Sequence, residues 1–369
     1  MVDPAVAAHA GPQRVTEELA KSGTVIERFD AGPWADRVDS VGELARRMGE
    51  FGPDWLVVLG GGRTLDGAKA ARLLFERPDL SLPTLTPMFE LPEPSRCRLV
   101  AVPTTSGSGS EASWSVDLRS AEGEPIELAH RALVPDWAIV DAGFAGALPN
   151  ELRRDGGLEA LGQAMEAYLS AWANPFSDAL ALSVVRTVFE RLPHALRWSD
   201  DPDAKEALHY AATLAGLAAS NAQRGVAHAL ARALVLPTGL PYGRLMGILL
   251  PHVLEFDRPS ARDRVEALAL ALHTADDRGS VPLEVRPPDS TRRSRSPARS
   301  ARRGWTGRDS KRYGPRWSLT PFGRRPFLRI PGFPARRTSR RSSRRRSGDR
   351  ERSRRERTNR RCEDFAVSG

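Results

Sequence analysis

The segment AVPTTSGSGSEAS, residues 101–113, consists mostly of small and hydroxyl-bearing residues and follows a short apolar run. About forty residues earlier, VVLGGGRTLDGAKA, residues 57–70, places a glycine cluster after another apolar run. Glycines at the end of a buried strand let backbone amides approach a pyrophosphate, and the N-terminus of a following helix favours its negative charge. The two segments therefore predict a nucleotide site at one edge of a parallel sheet.

The two loops differ in how strongly they favour that interpretation. A glycine triplet such as Gly60 to Gly62 is equally typical of a tight strand-to-helix turn. The second loop adds hydroxyls and free amides at Thr104, Thr105 and Ser108, which are groups that bind phosphate. Together they favour a cofactor over a simple turn.

The organisation of the chain changes near Pro149. Before it, short apolar runs at residues 24–29, 55–59, 98–102 and 137–140 alternate with helical patterns, as in an α/β domain. After it, apolar residues recur at three- and four-residue spacing in residues 157–172, 177–196, 203–221, 224–234, 245–256 and 261–272. We therefore expect an α/β domain at residues 1–148 and an all-helical domain at residues 149–275.

The charge of the chain, +9 overall, is divided unevenly. From Val285 onward there are 28 Lys and Arg against 7 Asp and Glu, a balance of +21. Residues 1–284 have 27 against 39, a balance of −12. The basic character therefore belongs to the C-terminal segment alone.

Two interpretations of residues 276–369 stay open. One is a disordered Arg/Ser/Pro-rich tail that binds nucleic acid through phosphate contacts. The other is a shifted reading frame, because alanine codons of a GC-rich gene read one or two bases out of frame encode proline and arginine. The abrupt loss of helical pattern between about Ala275 and Arg286 favours the frameshift.

Cysteine usage and hydropathy indicate a reducing, aqueous environment. The two cysteines, Cys97 and Cys362, give no disulfide framework, and no secretory leader pattern or membrane-spanning apolar run is present. We expect a cytoplasmic protein that does not bind membranes.

The motifs together resemble the iron-containing, group III alcohol dehydrogenases, which have a dehydroquinate synthase-like fold. GGGRTLDGAKA resembles the family's GGGSxxDxAK, and PTTSGSGSE resembles PTTxGTGSE. The similarity continues through PDWAIVDAGFAGALP, GGLEALGQAMEAYLSAWANPFSDALAL, GVAHALARAL and PYGRLMGILLPHVLEF. It covers about residues 15–272; by comparison with the family, the first strand and helix and the last helices are missing.

The resemblance implies an oxidoreductase that interconverts an alcohol and an aldehyde or ketone with NAD or NADP. The cofactor-binding residues that it implies are Gly61, Gly62, Arg63, Asp66, Thr104, Thr105 and Ser108. Arg63 replaces a small serine of the family, and its guanidinium either pairs with phosphate or points to solvent.

The resemblance also implies a divalent iron or zinc ion held by an Asp and three His. The matching positions here are Glu159, Gln163, His228 and Tyr242. An amide and a phenol are poor ligands for such an ion, so we expect weak or vestigial metal binding. Glu159 and Gln163 then line an inherited polar cleft, with Glu166 one turn further along the helix.

A loss of the metal leaves other groups to stabilise charge on the substrate oxygen. Arg232, which replaces a second family histidine, and Tyr242 are the predicted catalytic residues. The wider family includes metal-independent reductases such as maleylacetate reductases, which supports this hypothesis.

Two classes of function follow from these observations. One is a metal-independent NAD(P)-dependent oxidoreductase acting on a small alcohol or carbonyl compound, in a chain that could form a homodimer. The other is a chain without catalysis, either a relic or a scaffold whose tail binds nucleic acid, in which case NAD(P)H-dependent turnover is absent and RNA binding depends on salt.

Overall fold

The structure of the protein is a computed structural model. It describes residues 1–3, 10–32, 35–92, 94–145, 148–198, 201–273, 319–322 and 325–328. The chain divides into two compact units, Met1–Trp305 and Thr306–Gly369.

The first unit begins with α/β layers. Its elements up to residue 145 are, in chain order, α1 (Ala10–Lys21), α2 (Val38–Phe51), β1 (Trp55–Gly60), α3 (Gly62–Glu76), β2 (Arg98–Pro103), β3 (Ser115–Arg119), β4 (Pro125–Ala129) and β5 (Trp137–Ala138). Strands β1, β2 and β5 form a parallel sheet in that order, with Trp55 opposite Arg98 and Gly60 opposite Pro103. The carboxyl ends of β1 and β2 therefore lie side by side, which places the two glycine loops together.

The β1 and β2 strands are apolar because both faces of this part of the sheet are covered. On one face, Val58 and Leu99 are buried with side chains of α2 and α3. On the other face, Leu59 and Val100 pack with Val15 of α1. Parallel strands covered on both faces read as continuous apolar runs, which is why the sequence revealed them.

A hairpin of β3 and β4 stands apart from that sheet. The two strands pair antiparallel, with Ser115 opposite Ala129 and Asp117 opposite Glu127. No strand pattern was recognised here in the sequence, because polar and charged residues interrupt the apolar ones.

The apolar run at residues 24–29 does not form the strand expected from its sequence. The structure has only an isolated bridge beside it, between Val2 and Asp30, and Val2 also bridges Leu59 of β1. Val25 and Ile26 are exposed, and Phe29 alone of the run packs against the core, so too little of it is buried to hold a strand in the sheet.

The helical part follows at residues 150–273. It comprises α4 (Asn150–Leu169), α5 (Pro175–Arg197), α6 (Pro202–Ala222), α7 (Val226–Thr238), α8 (Tyr242–Asp257) and α9 (Arg262–His273). Helices α4, α5 and α6 share a core of Ala, Val and Leu side chains, among them Leu161, Val185 and Ala215. The fold class expected from the sequence, an α/β layer followed by helices, is confirmed.

The second unit is described only at residues 319–322 and 325–328. Leu319–Phe322 (β6) and Arg325–Leu328 (β7) pair as an antiparallel hairpin. The other residues of the segment 276–369 lie outside the described ranges, so the disordered tail and the frameshift stay predictions.

Among the described residues, no helix is both long and apolar enough to cross a membrane.

Candidate functional site

The first glycine loop joins β1 to α3. Gly61 is the N-cap of α3 in an extended conformation, and no side chain accepts a hydrogen bond from the first turn at this cap. The amides at a helix N-terminus without a side-chain cap are suited to an anionic group, because their N–H dipoles point outward. The loop therefore fits a pyrophosphate.

The second loop packs directly on the first. The Thr104 amide donates to the Gly60 carbonyl at 3.0 Å. A β-carbon on Gly61 would lie 3.1 Å from Thr105 Cγ2, and one on Gly62 would lie 2.6 Å from Ser108 Oγ. Only glycine permits this approach, and it brings five predicted cofactor residues, Gly61, Gly62, Thr104, Thr105 and Ser108, to one place.

Asp66 and Arg63, the remaining predicted cofactor residues, lie differently. Asp66 is buried, accepts hydrogen bonds from Ser110 Oγ and, at 3.0 Å, from the Asp117 amide, and has its pKa raised by burial. It therefore ties the second loop and the hairpin to α3. Arg63 is exposed, and its pairing with phosphate stays a prediction.

Asp3 lies beside the first loop and was not recognised as a site residue from the sequence. Its amide donates to the Leu59 carbonyl at 2.8 Å, and its carboxylate accepts a hydrogen bond of 2.9 Å from Thr64 Oγ1 in the first turn of α3. A single Asp in MVD has no recognisable pattern; its position follows from the bridge between Val2 and β1.

The residues at the family's metal positions come together on α4, α7 and α8. On α4, Gln163 is buried, and its Nε2 donates to the carbonyls of Gly107 at 3.4 Å and Ser108 at 3.1 Å. Glu159 lies against the same loop, since a β-carbon on Gly107 would be 3.1 Å from Glu159 Oε2. Burial raises the pKa of Glu159 to about 8. Both side chains therefore connect α4 to the second loop.

His228 and Tyr242 form a hydrogen-bonded pair. His228 Nδ1 lies 2.5 Å from the Tyr242 hydroxyl, and the rings meet edge to face at 5.6 Å. Burial, and secondarily Arg224, lower the pKa of His228, while burial raises the pKa of Tyr242 well above its usual value of 10. The imidazole is therefore neutral, and its single proton, on Nδ1 or on Nε2, decides which partner donates in this hydrogen bond. Its Nε2 lies 3.5 Å from Glu127 Oε1 of the hairpin.

The hairpin carboxylates pair with two arginines. Arg232 on α7 lies 2.8 Å from Asp117 Oδ1 and 2.5 Å from Glu127 Oε2. Arg224, in the link between α6 and α7, lies 3.2 Å from Asp117 Oδ2. Burial alone would raise the pKa of Asp117, yet Arg224 and Arg232 hold it below its ordinary range. We call the following residues the charged cluster: Asp117, Glu127, Arg224, His228, Arg232 and Tyr242.

Arg232 keeps one polar atom for other partners. Its Nη2 is buried and makes no hydrogen bond to any described residue. The predicted contact of Arg232 with a substrate oxygen stays a prediction.

Arg224 was not recognised as a site residue, because a Gln-Arg-Gly link between helices carries no motif. It follows Gln223, whose φ of 71° is the only positive value for a non-glycine residue in the described chain. Such a conformation costs about 1 kcal/mol and persists where the surroundings enforce it. Here the Gln223 amide donates to the Ala219 carbonyl at 2.8 Å, which ends α6 and turns the chain toward the hairpin.

Glu166, one turn beyond Gln163, has a structural role. Its Oε1 accepts a hydrogen bond of 2.6 Å from the Ala227 amide, and its Oε2 one of 3.2 Å from the His228 amide. The carboxylate thus caps the N-terminus of α7 and fixes the backbone of His228. Burial raises the pKa of Glu166 to about 7.

The residues at the family's metal positions do not fit a divalent ion. The Gln163 amide nitrogen is committed to two backbone carbonyls, the Tyr242 phenol keeps its proton, and the Arg224 guanidinium lies 3.3 Å from His228 Nε2. Asp117, Glu127 and His228 bring ligand-type atoms within 4.8 Å of one another, but both carboxylates are already paired with arginine.

Comparisons with known proteins place this site in a family. The family model for iron-containing alcohol dehydrogenase matches residues 1–142, and the model for the C-terminal domain of the Fe-containing alcohol dehydrogenase family matches residues 154–284. The probable alcohol dehydrogenase EutG of Escherichia coli is 37% identical over 270 residues, which are 72% of this chain and 68% of that protein. The NADPH-dependent butanol dehydrogenase of Clostridium saccharobutylicum is 31% identical over 264 residues, 71% of this chain and 68% of that protein.

A solved structure agrees with the sequence comparison. The iron-containing alcohol dehydrogenase of Thermococcus thioreducens superposes with a TM-score of 0.68 at 31% identity, over 73% of this chain and 72% of that one. The resemblance inferred from the glycine loops and the helix motifs is confirmed. The chain belongs to the iron-containing alcohol dehydrogenase family, a family of NAD(P)-dependent oxidoreductases.

Proposed function

We propose that this chain interconverts an alcohol and an aldehyde or ketone with NAD(P), and that Tyr242 exchanges the proton in place of a metal-assisted step. The observation that carries the proposal is the Tyr242–His228 hydrogen bond of 2.5 Å, together with the contacts of Glu159 and Gln163 on α4 with the second loop.

The cofactor would be held by the two loops. Gly61, Gly62, Thr105 and Ser108, with the amides that begin α3, are the groups that would bind its pyrophosphate. When bound, the nicotinamide supplies or accepts the hydride.

Asp3 favours NAD over NADP in this proposal. In this proposal the adenosine ribose lies beside its carboxylate, which is held at the first turn of α3. The carboxylate would accept a hydrogen bond from the 2′-hydroxyl of NAD and repel the 2′-phosphate of NADP. The butanol dehydrogenase that resembles this chain uses NADPH, so the preference rests on Asp3 and not on that relative.

In the proposal, a proton moves from solvent to the substrate oxygen through residues of the charged cluster. During reduction the Tyr242 hydroxyl donates its proton to the carbonyl oxygen as the carbonyl carbon gains hydride, and the product is the alcohol. The tyrosinate then takes the proton that the neutral His228 imidazole carries on Nδ1, and Nε2, which faces the carboxylate of Glu127, takes up a proton from solvent. Glu127 is exposed, with 41% of its side chain accessible, so the path ends at water. In the oxidation direction each transfer runs in reverse.

The positive charge of Arg224 supports this step. A tyrosinate is costly in a partly buried position, and Arg224 is the group that lowers the pKa of Tyr242 against the effect of burial. Positioned charge that meets developing negative charge lowers the barrier of such a transfer.

The experiment is a spectrophotometric assay of the purified full-length chain after dialysis against a chelator. We expect binding of NADH, seen as a fluorescence change, and aldehyde-dependent loss of NADH absorbance with a panel of small aldehydes and ketones. Binding of neither NADH nor NADPH would overturn the proposal. Turnover that appears only on adding iron or zinc would overturn the role of Tyr242.

A further inference from the structure

A positive charge of the protein itself lies among the residues at the family's metal positions. Arg224 Nη1 is 3.4 Å from His228 Nδ1, 3.3 Å from His228 Nε2 and 3.2 Å from Asp117 Oδ2. Its Nη2 donates to the Ser115 hydroxyl. The guanidinium thus lies between the hairpin and the imidazole that matches a metal ligand of the family.

The backbone that carries this arginine is fixed on both sides. Gln223 before it has φ 71° and ψ 157°, a combination that residues other than glycine rarely adopt. Gly225 after it is packed on Glu166, since a β-carbon there would lie 2.8 Å from Glu166 Oε1. A residue held in an unfavourable conformation beside a polar site indicates a specific role for the placement it produces.

The charges around Arg224 balance without another cation. Asp117 and Glu127 contribute two negative charges, and Arg224 and Arg232 contribute two positive charges. Burial opposes the charge of Arg224, but Asp117, Tyr242 and Glu127 raise its pKa above the ordinary value, so it stays protonated. Its charge acts on Glu159, His228 and Tyr242, three of the four metal-matching residues.

We propose that Arg224 is the resident cation of the charged cluster and that its guanidinium excludes a divalent metal ion from it. A divalent ion bound by His228 would have to approach a guanidinium already within 3.4 Å of that ring, and the two like charges repel. The hairpin carboxylates beside the ring, Asp117 and Glu127, already pair with the arginines and so do not offset that repulsion. The inference concerns metal binding and holds whether or not the chain turns over substrate.

The test is a titration with Co²⁺, whose visible absorption reports bound metal, together with elemental analysis of the purified full-length protein. We expect the wild-type chain to contain no stoichiometric metal and to show no cobalt absorption bands. Stoichiometric metal, or bands with a Co²⁺ affinity that Arg224→Met leaves unchanged, would overturn the proposal.

A second pair of variants isolates the effect of the guanidinium. Both carry Glu159→Asp, Gln163→His and Tyr242→His, which together restore the family's ligand types. One of the two keeps Arg224, and the other adds Arg224→Met. We expect the variant with Arg224→Met to bind Co²⁺ roughly 10–100-fold more tightly than the one that keeps Arg224. Equal affinities in the two variants would overturn the proposal.

Controls separate these effects from misfolding. Arg191→Met removes a half-exposed arginine of α5 that pairs with Glu190, and it should leave Co²⁺ binding unchanged. Circular dichroism and the melting temperature show which variants fold. Should the multiple variants fail to fold, the wild-type titration still decides, because tight stoichiometric Co²⁺ binding there contradicts the proposal. NADH binding, measured in parallel, reports on the proposed oxidoreductase function separately.

Discussion

The cofactor loops and the charged cluster preserve the family pattern to different degrees. The loops keep the glycines and hydroxyls of the family, and the Gly61 and Gly62 backbone lies so close to the Thr105 and Ser108 side chains that a β-carbon would displace them. On α4 and in the charged cluster, an amide and a phenol occupy two of the family's ligand positions, and two arginines lie beside His228 and the hairpin carboxylates. The difference shows that a nucleotide site built from backbone depends on shape, whereas a site built from side chains can change its chemistry while the fold persists.

The largest effect is expected in the charged cluster, for Tyr242→Phe. Removing the hydroxyl removes the proposed proton donor, so kcat should fall by about 10²–10⁴-fold while the dissociation constant of NADH is unchanged. Steady-state kinetics and NADH fluorescence measure the two quantities. Tyr210→Phe is the matched control, because Tyr210 is exposed and its hydroxyl donates to Glu206 on the same helix. Unchanged turnover in Tyr242→Phe would show that the charged cluster does not supply the proton donor and has no chemical role distinct from that of the loops.

The cofactor loops are tested by Gly62→Ala. The new β-carbon would lie 2.6 Å from Ser108 Oγ, so the loops must separate. We expect NADH to bind roughly tenfold more weakly, equivalent to about 1.4 kcal/mol. Gly42→Ala in α2 is the control, since nothing lies within 4 Å of its β-carbon and the helix should gain up to about 1 kcal/mol. Normal NADH affinity in Gly62→Ala would show that the contact is not required.

Glu159 connects the two regions and predicts a pH dependence of stability. Burial raises its pKa from 4.5 to about 8, with Arg224 opposing and Asp117, Asp66 and Asp155 reinforcing the shift. The folded state binds the Glu159 proton more tightly than the unfolded state does. The stabilisation of the fold by this proton is therefore complete below pH 4.5 and is lost as pH rises through 8. The limiting slope for one proton is about 1.4 kcal/mol per pH unit.

Denaturant unfolding at several pH values measures this dependence. In the wild type, ionisation of Glu159 should lower the free energy of unfolding between about pH 5 and 8, by at most about 1.4 kcal/mol per pH unit. Glu159→Gln should remove this part of the pH dependence. Glu190→Gln on the exposed face of α5 should reproduce the wild-type curve. Parallel curves for wild type and Glu159→Gln would show that Glu159 is ionised in the folded protein.

The smallest effect is expected at Asp3. Asp3→Asn keeps an acceptor for Thr64 and removes the negative charge, so the preference for NADH over NADPH should fall by a few-fold, equivalent to about 1 kcal/mol. The ratio of kcat/KM for the two cofactors measures it. Asp30→Asn, at an exposed carboxylate paired with Arg28, is the control. An unchanged ratio in Asp3→Asn would place the determinant of cofactor choice elsewhere.

Structure that depends on residues close in sequence could be predicted, whereas contacts between residues distant in sequence could not. Helices α2 to α9 appear near the expected positions, because apolar residues recur in them at three- and four-residue spacing. The β3–β4 hairpin was missed because Asp117 and Glu127 look like solvent-facing charges until their arginines, about a hundred residues later, are placed beside them. Arg224 was missed for the same reason, whereas His228 and Tyr242 were found through the family motifs.

The sequence by itself determined the order of layers, the two glycine loops and the family, because glycine patterns and apolar periodicity are local and express backbone requirements directly. Only the tertiary structure decided what those positions do. Gln163 bonds a loop carbonyl, Glu166 caps α7, and Arg224 reaches His228 from the preceding link. The physical reason is that the protonation state and the partners of a buried polar group depend on which distant charges the fold brings within a few ångströms of it.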